Sequence, residues 1–232
     1  MKSKYKEYDV KKEEGKVVIT RTNRAGEKYT CVVNTAKPAT PIKDKKDLYK
    51  ISDFLRGDFD DDKAPVKNSE KYYVLWELSV YEGFRISDTL NLRVEDVTKP
   101  DHYIYAKKTG KRHPIIIQPE LEKILTRYIK RHKLQPQDYL FYANRKDGSK
   151  SKPIDKSQAY RKLKEVVESV CPHVRFSNHT TRKSAYYQMY LRYGIEFVQA
   201  VAGHSSSKIT LTYIGLSDAE LKEKLLDFNP YQ

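Results

Sequence analysis

Two short stretches in the C-terminal half of this 232-residue sequence carry residue types that can attack a phosphodiester. His179-Thr-Thr-Arg182 puts an imidazole and a guanidinium one helical turn apart, so both can face one pocket. Gly203-His204 begins a run that ends at Tyr213, nine residues after the histidine. Earlier, Gly83-Phe-Arg85-Ile-Ser-Asp88 offers a second arginine at a helix start, with Asp88 one turn on to orient it. Lys108 lies in the connection between two candidate strands. Such a set suits one kind of chemistry. A phosphorus attacked by a hydroxyl passes through a state whose non-bridging oxygens gather negative charge, which arginine forks and imidazole donors can meet. The hydroxyl must be held close, and the departing oxygen needs a proton. No cofactor or metal is needed, and no carboxylate triad with metal-ligand spacing is present in the sequence.

The elements that must position these groups read as follows. Residues 1–40 stand apart as a basic N-terminal extension: Lys16–Thr20 and Tyr29–Val33 are β-prone runs around Asn23-Arg-Ala-Gly26, which predicts a hairpin bearing Lys16, Arg21, Arg24 and Lys28. Pro38-Ala-Thr-Pro41 marks the boundary to a second region, 41–232. There the pattern predicts helices over 44–56 (ended by Gly57), 70–82 (stopped by Gly83), a segment from Ser87 carrying Leu90 and Leu92, 119–133, 156–170 with Asp155 as N-cap, 180–193 ended by Gly194, 195–202, 206–213 and 218–227. The last opens on Ser217-Asp-Ala-Glu220, a capping box. Tyr103–Tyr105 and Ile115–Ile117 read as strands joined by a basic connection. The fold class is therefore α+β, mainly α-helical, with a small antiparallel sheet. Asp58-Phe-Asp-Asp-Asp62 reads as a solvated acidic loop.

Charge points to a polyanionic partner. Forty-five basic against 31 acidic side chains leave +14, and each phosphate neutralised on duplex DNA adds about 0.9 to the salt slope of binding. No run approaches the roughly 18 apolar residues of a membrane helix, and the lysine-rich N-terminus lacks a signal peptide's apolar stretch. Cys31 and Cys171 lie far apart and fit a reduced, cytoplasmic, nucleoid-associated protein.

Taken in order, Gly83-Phe-Arg85-Ile-Ser-Asp88, Lys108-Thr-Gly110, His179-Thr-Thr-Arg182, Gly203-His204 and Tyr213 closely resemble the tyrosine recombinase (phage integrase) family, over about residues 41–232. The ending Thr-Tyr213-Ile-Gly215 is similar to the short integrases of Gram-positive bacteria and their mobile elements. The resemblance implies the tyrosine recombinase catalytic-domain fold and site-specific DNA recombination, as integration or resolution. It also implies the roles. Arg85 and Arg182 would clamp the scissile phosphate, and His179 and His204 would donate to its oxygens, His179 also helping to deprotonate the tyrosine. Lys108 would protonate the leaving 5′ oxygen, and Tyr213 would form a 3′-phosphotyrosyl bond. Double-stranded DNA is the implied partner, with a homotetramer assembled on it from chains that are monomers in solution.

Larger members close a clamp on DNA with a helical N-terminal domain. Here only the first 40 residues precede the matching region, so the hairpin, the basic surface or an accessory DNA-binding protein is expected to take its place. Lys107, Lys111 and Arg112 of the strand connection, with Arg21 and Arg24, are candidate DNA contacts. The same chemistry would also serve a type IB topoisomerase-like relaxing enzyme, and a DNA-binding regulator with a vestigial pocket is the reading from another class. His102, His132 and His173 read as surface or structural, and His113 in the basic connection more as structural than as a DNA contact. Tyr186, Tyr187 and Tyr190 read as core packing; Arg161, Lys162 and Lys164 would grip phosphates or form a solvated face. The 218–227 helix, with Leu221, Leu225 and Leu226 beside Phe228, would dock on a neighbouring protomer or close over its own.

Overall fold

The computed structural model describes residues 5–13, 16–23, 26, 28–34, 39–57, 69–99, 103–105, 110, 112–204 and 206–215. Lys107, Lys108, Lys111, Arg24, His102, the acidic loop 58–62 and the 218–227 segment lie outside them. The chain divides into two compact units, Met1–Pro38 and Ala39–Gln232.

The first unit is a three-stranded antiparallel sheet in the order β1 (Tyr5–Glu13), β2 (Lys16–Asn23), β3 (Lys28–Asn34). The expected hairpin is β2–β3. Strand β1 joins it with Val10 opposite Ile19 and Lys11 opposite Val18. Its many charged residues hide the β pattern, and only pairing with β2 reveals it. Arg21 sits on β2 opposite Tyr8 and Tyr29.

The second unit is helical around α2 (Glu70–Glu82), which is buried on nearly every side. Trp76, Leu75 and Leu78 pack with Ile51 of α1 (Lys45–Arg56), and the same core takes in Leu92 and Val94 of α4 (Val94–Thr98) and its approach. Leu121 and Tyr128 of α5 (Pro119–Arg131) and Leu163 and Val167 of α6 (Lys156–Val170) complete it. The Tyr128 hydroxyl donates to the Leu140 carbonyl at 2.9 Å. Asp44 and Asp155 cap α1 and α6 through their side chains, satisfying amides that the helices leave open. Glu70, nearly buried, meets Arg131 at 3.1 Å and His132 at 2.8 Å, and His132 also engages the Tyr142 hydroxyl. His173 pairs with Asp47 at 2.7 Å. Both histidines are structural. No helix of the described residues is long and apolar enough to cross a membrane.

Two expectations change. The helix from Ser87 is instead a single turn, α3 (Ile86–Thr89), separated from α4. The Asn91 side-chain amide donates to the Ser87 carbonyl, taking the acceptor that the next helical turn would use. The second strand is not Ile115–Ile117 but β5 (Arg112–Pro114), which pairs with β4 (Tyr103–Tyr105), Ile104 facing His113. Pro114 has no amide hydrogen to extend the ladder, and Ile115 beyond it turns into the core.

Helix α7 (Thr180–Ala202) runs through a break at Gly194, the expected end of its first part, and α8 (Ser207–Ile214) follows. The segment after Pro41 straps both. The Ile42 amide donates to Ser184 Oγ at 2.8 Å, Gln188 donates to the Lys43 carbonyl at 2.9 Å, and Lys43 Nζ reaches the Gly215 carbonyl at 2.8 Å. A Cβ at Gly215 would stand 3.2 Å from Pro41 Cδ, so the end of α8 needs glycine for that contact.

At the end of α2, burial pushes the Glu82 carboxyl up to about 7, although the Ile116 amide and the Gln118 side chain donate to it. A carboxyl raised by folding adds stability below its ordinary value near 4.5 and loses it as pH climbs through about 7. Urea unfolding should therefore show Glu82→Gln more stable than the native chain above pH 7, by up to about 3 kcal/mol. The gap should close toward pH 4.5; parallel pH profiles for the two proteins would contradict this.

Candidate active site

The site is built where the end of α2 meets the start of α7. Gly83 closes α2 in the left-handed conformation, φ 64°, and its carbonyl accepts a hydrogen bond from Arg182 Nη1 at 2.8 Å. The approach is so close that a Cβ at Gly83 would stand 2.7 Å from Cε1 of Tyr186, a ring only 1% exposed. Arg85 follows two residues later as the N-cap of α3, its Nη1 3.9 Å from Asp88 Oδ2. Helix α2 thus delivers Arg85 to the side of α7 that carries Arg182.

Arg182 is 2% exposed, and its Nε and Nη2 are buried without a hydrogen-bond partner among the described residues. Unmet buried donors are costly. Burial pulls this guanidinium below the ordinary arginine range, and the adjacent charge of Arg85 pulls it further. A buried cation with donors unmet, near enough to a second cation to feel its charge, describes a cradle for an anion.

Around that cradle stands Tyr213, half-buried on α8. Its ring centroid lies 5.0 Å from that of His204 and 6.5 Å from that of His179, and Arg182 Cζ is 5.5 Å from it. His204 follows the left-handed Gly203 that ends α7, and its Nδ1 engages Thr210 Oγ1 at 3.1 Å. His179 is the N-cap residue of α7. Burial lowers it below the ordinary histidine range, and Arg182, Lys156, Lys183 and Arg85 lower it further, which favours the neutral imidazole.

The structure therefore brings Arg85, Asp88, His179, Arg182, His204 and Tyr213 to one place. Lys108 cannot be placed among the described residues. Arg112 is exposed on β5 with its guanidinium 3.3 Å from the centre of the Tyr103 ring. Tyr186 and Tyr187 are buried, Arg182 lies 4.6 Å from the Tyr186 ring centre, and burial pushes the Tyr186 phenol to about 12. Lys162 and Lys164 pair with Glu165 and Glu168 on the surface of α6. Among the described residues no cluster of three or more His, Cys, Asp or Glu side chains converges as metal ligands would.

Two residues of this neighbourhood escaped the sequence reading. Thr210 is fully buried beneath His204, and its position one turn before Tyr213 on the same helix face is the signal that could have found it. His113 is 6% exposed on β5. Its strongest influence is burial, followed by the Val201 carbonyl at the end of α7 and the charges of Arg182, Arg85 and Asp88. It belongs to the interior of the site, and only strand register, invisible in the sequence, shows it.

The profile described as the phage integrase family matches residues 45–220. The chain belongs to that family of tyrosine recombinases. It is 31% identical over 180 residues to a probable integrase/recombinase, YoeC, of Bacillus subtilis, covering 77% of this chain and 90% of that one. The XerA recombinase crystal structure superposes with a TM-score of 0.64 at 22% identity, covering 85% of this chain and 68% of that one. The Tn1549 transposon integrase, in complex with circular intermediate DNA, gives 0.57 at 15%, covering 83% and 66%. These likenesses show the tyrosine recombinase catalytic-domain fold, mostly helical with a two-stranded antiparallel sheet. The chain spans about two-thirds of each of those solved proteins.

Gly83→Ala should lower unfolding stability by roughly 2–4 kcal/mol, the sum of left-handed backbone strain and overpacking against Tyr186. Urea titration reads this directly; a loss under about 0.5 kcal/mol would mean that the α2–α7 approach is not tight.

Proposed function

We propose that this tyrosine recombinase cuts and rejoins double-stranded DNA at specific sites through a 3′-phosphotyrosyl bond to Tyr213, without metal or ATP. The observation that carries the reading is the unmet edge of Arg182, buried beside Arg85 and 5.5 Å from the Tyr213 ring. A phosphodiester oxygen is the partner such an edge lacks.

In this reading Arg85 and Arg182 hold the scissile phosphate and Asp88 steadies Arg85. His179, its neutral form favoured, takes the phenolic proton as Tyr213 Oη bonds to phosphorus. His204 donates to a non-bridging oxygen, its ring set by Thr210. Lys108 gives a proton to the 5′ oxygen as the phosphorus–oxygen bond breaks. The phosphotyrosyl bond conserves the energy of the broken one, so a 5′ hydroxyl from another strand reseals the DNA. The net charge of +14 supports a DNA partner. Residues 1–38, with Arg21 and Arg24, and the Lys107, Lys111 and Arg112 connection supply further phosphate contacts. Strand exchange between two sites calls for four copies on DNA, and an accessory protein completes the grip where the small first unit is not enough.

Duplex fragments tiling the DNA on either side of the gene, together with a random-sequence pool, provide the substrates. The native chain should form an adduct stable to SDS, and Tyr213→Phe should lose it while binding DNA as before. An undiminished adduct removes Tyr213 from this role. Lys108→Ala should cleave at least 100-fold more slowly on ordinary DNA and recover on DNA with sulfur at the bridging 5′ position, because a thiolate leaves without a proton. Failure to recover would contradict the assignment of Lys108.

A further inference from the structure

The reaction as derived uses Arg182 and His179 of α7 but not the lysine beside them. Lys183 follows Arg182 directly and lies four residues after His179, so it shares the face of α7 that His179 begins. Its Nζ is 5.9 Å from the centre of the Tyr213 ring, within the roughly 6 Å at which a cation and an aromatic face attract. Only 9% of the residue is exposed. Burial pulls its ammonium group below the ordinary lysine range.

We propose that Lys183 is a positioning residue for the Tyr213 nucleophile: its ammonium group holds the phenol ring in line and stabilises the negative charge that grows on Oη as the oxygen attacks. The proposal rests on the reading of Tyr213 as nucleophile. The step is otherwise unchanged. The Oη–phosphorus bond forms, the bond to the 5′ oxygen breaks, His179 takes the phenolic proton and Lys108 supplies one to the leaving group. Lys183 transfers no proton and touches no substrate atom.

Other charged and titratable groups face the same ring. Helix α7 contributes His179, Arg182 and Tyr186, and the turn before α8 contributes His204. Arg85 acts on Arg182 and His179 from α3, and Lys156 acts on His179 from α6. Arg182 sits on the anion cradle and is tied to the Gly83 carbonyl.

The test uses the full chain and the duplex fragment that yields the adduct. Lys183→Met keeps the length and loses the charge; Lys183→Arg keeps the charge. At pH 7 and saturating DNA, the methionine variant should form the adduct about 10- to 100-fold more slowly, with DNA affinity unchanged and a melting temperature no lower than native. Its rate should climb toward the native rate as pH is raised, because hydroxide then does part of what the ammonium did. The arginine variant should stay within about tenfold of native. A methionine variant as fast as native at pH 7 overturns the proposal. So does a deficit equal at every pH and shared by the arginine variant, which would mark a packing role. Tyr213→Phe run in parallel separates the two readings: an adduct that survives this change, or a native chain that forms none, removes the nucleophile and Lys183 with it.

Discussion

A hydrogen bond from Arg182 to the Gly83 carbonyl, 2.8 Å long, holds together two stretches of chain 99 residues apart. It requires the end of α2 to approach α7 more closely than any side chain at position 83 would permit, since a Cβ would stand 2.7 Å from the buried Tyr186 ring. Glycine also supplies the left-handed turn, φ 64°, that swings the chain from α2 into α3. Both demands fall on one residue. Their product is the placement of Arg85, which the chain reaches two residues later, next to a guanidinium already fixed at one end.

The electrostatics of the site follow from that placement. Burial opposes charge on Arg182, His179, His113 and Lys183 alike, and Arg85 adds to the pressure on the first three. A fold selected for stability alone would not gather cations so, because each charge taken from water is costly and like charges repel. The arrangement becomes favourable when an anion arrives, and most favourable when that anion gains charge in its transition state. Tyr213 stands on a different helix, secured by its own contacts: the Pro41–Lys43 strap grips α7 through Ser184 and Gln188 and grips the end of α8 through Gly215. Tyr213 and Arg182 are thus tied in part by one short segment that contacts the helix of each.

Much of this was legible in the sequence where the cause is local. The cap at Asp155 and the terminal glycines mark helix ends because they satisfy or redirect a backbone within a few residues, whereas Asp44, read as the first helical residue, is in fact a cap. The His179–Arg182 and His204–Tyr213 spacings stand out for the same reason: they lie within single turns or a short run. What depends on pairing was hidden. Strand β1 looks like a charged tail until β2 is beside it, and the apolar run Ile115–Ile117 suggests a strand one step beyond the real ladder. His113 faces inward only because Tyr105 pairs with Arg112, and Lys183 is close to Tyr213 only because α8 folds back on α7. The short α3 was lost to a single side-chain competitor, Asn91.

The central claim is that Arg85 and Arg182 grip one phosphate together. A double-mutant cycle on the rate of covalent adduct formation tests it most directly, using Arg85→Ala, Arg182→Ala and the pair. Each single change should slow the reaction by about 10²–10³, and the double change should cost far less than the product of the two, because a cradle missing one arm has already lost its hold. Two losses that simply multiply would show arginines acting at separate places, and the account of the site would be wrong.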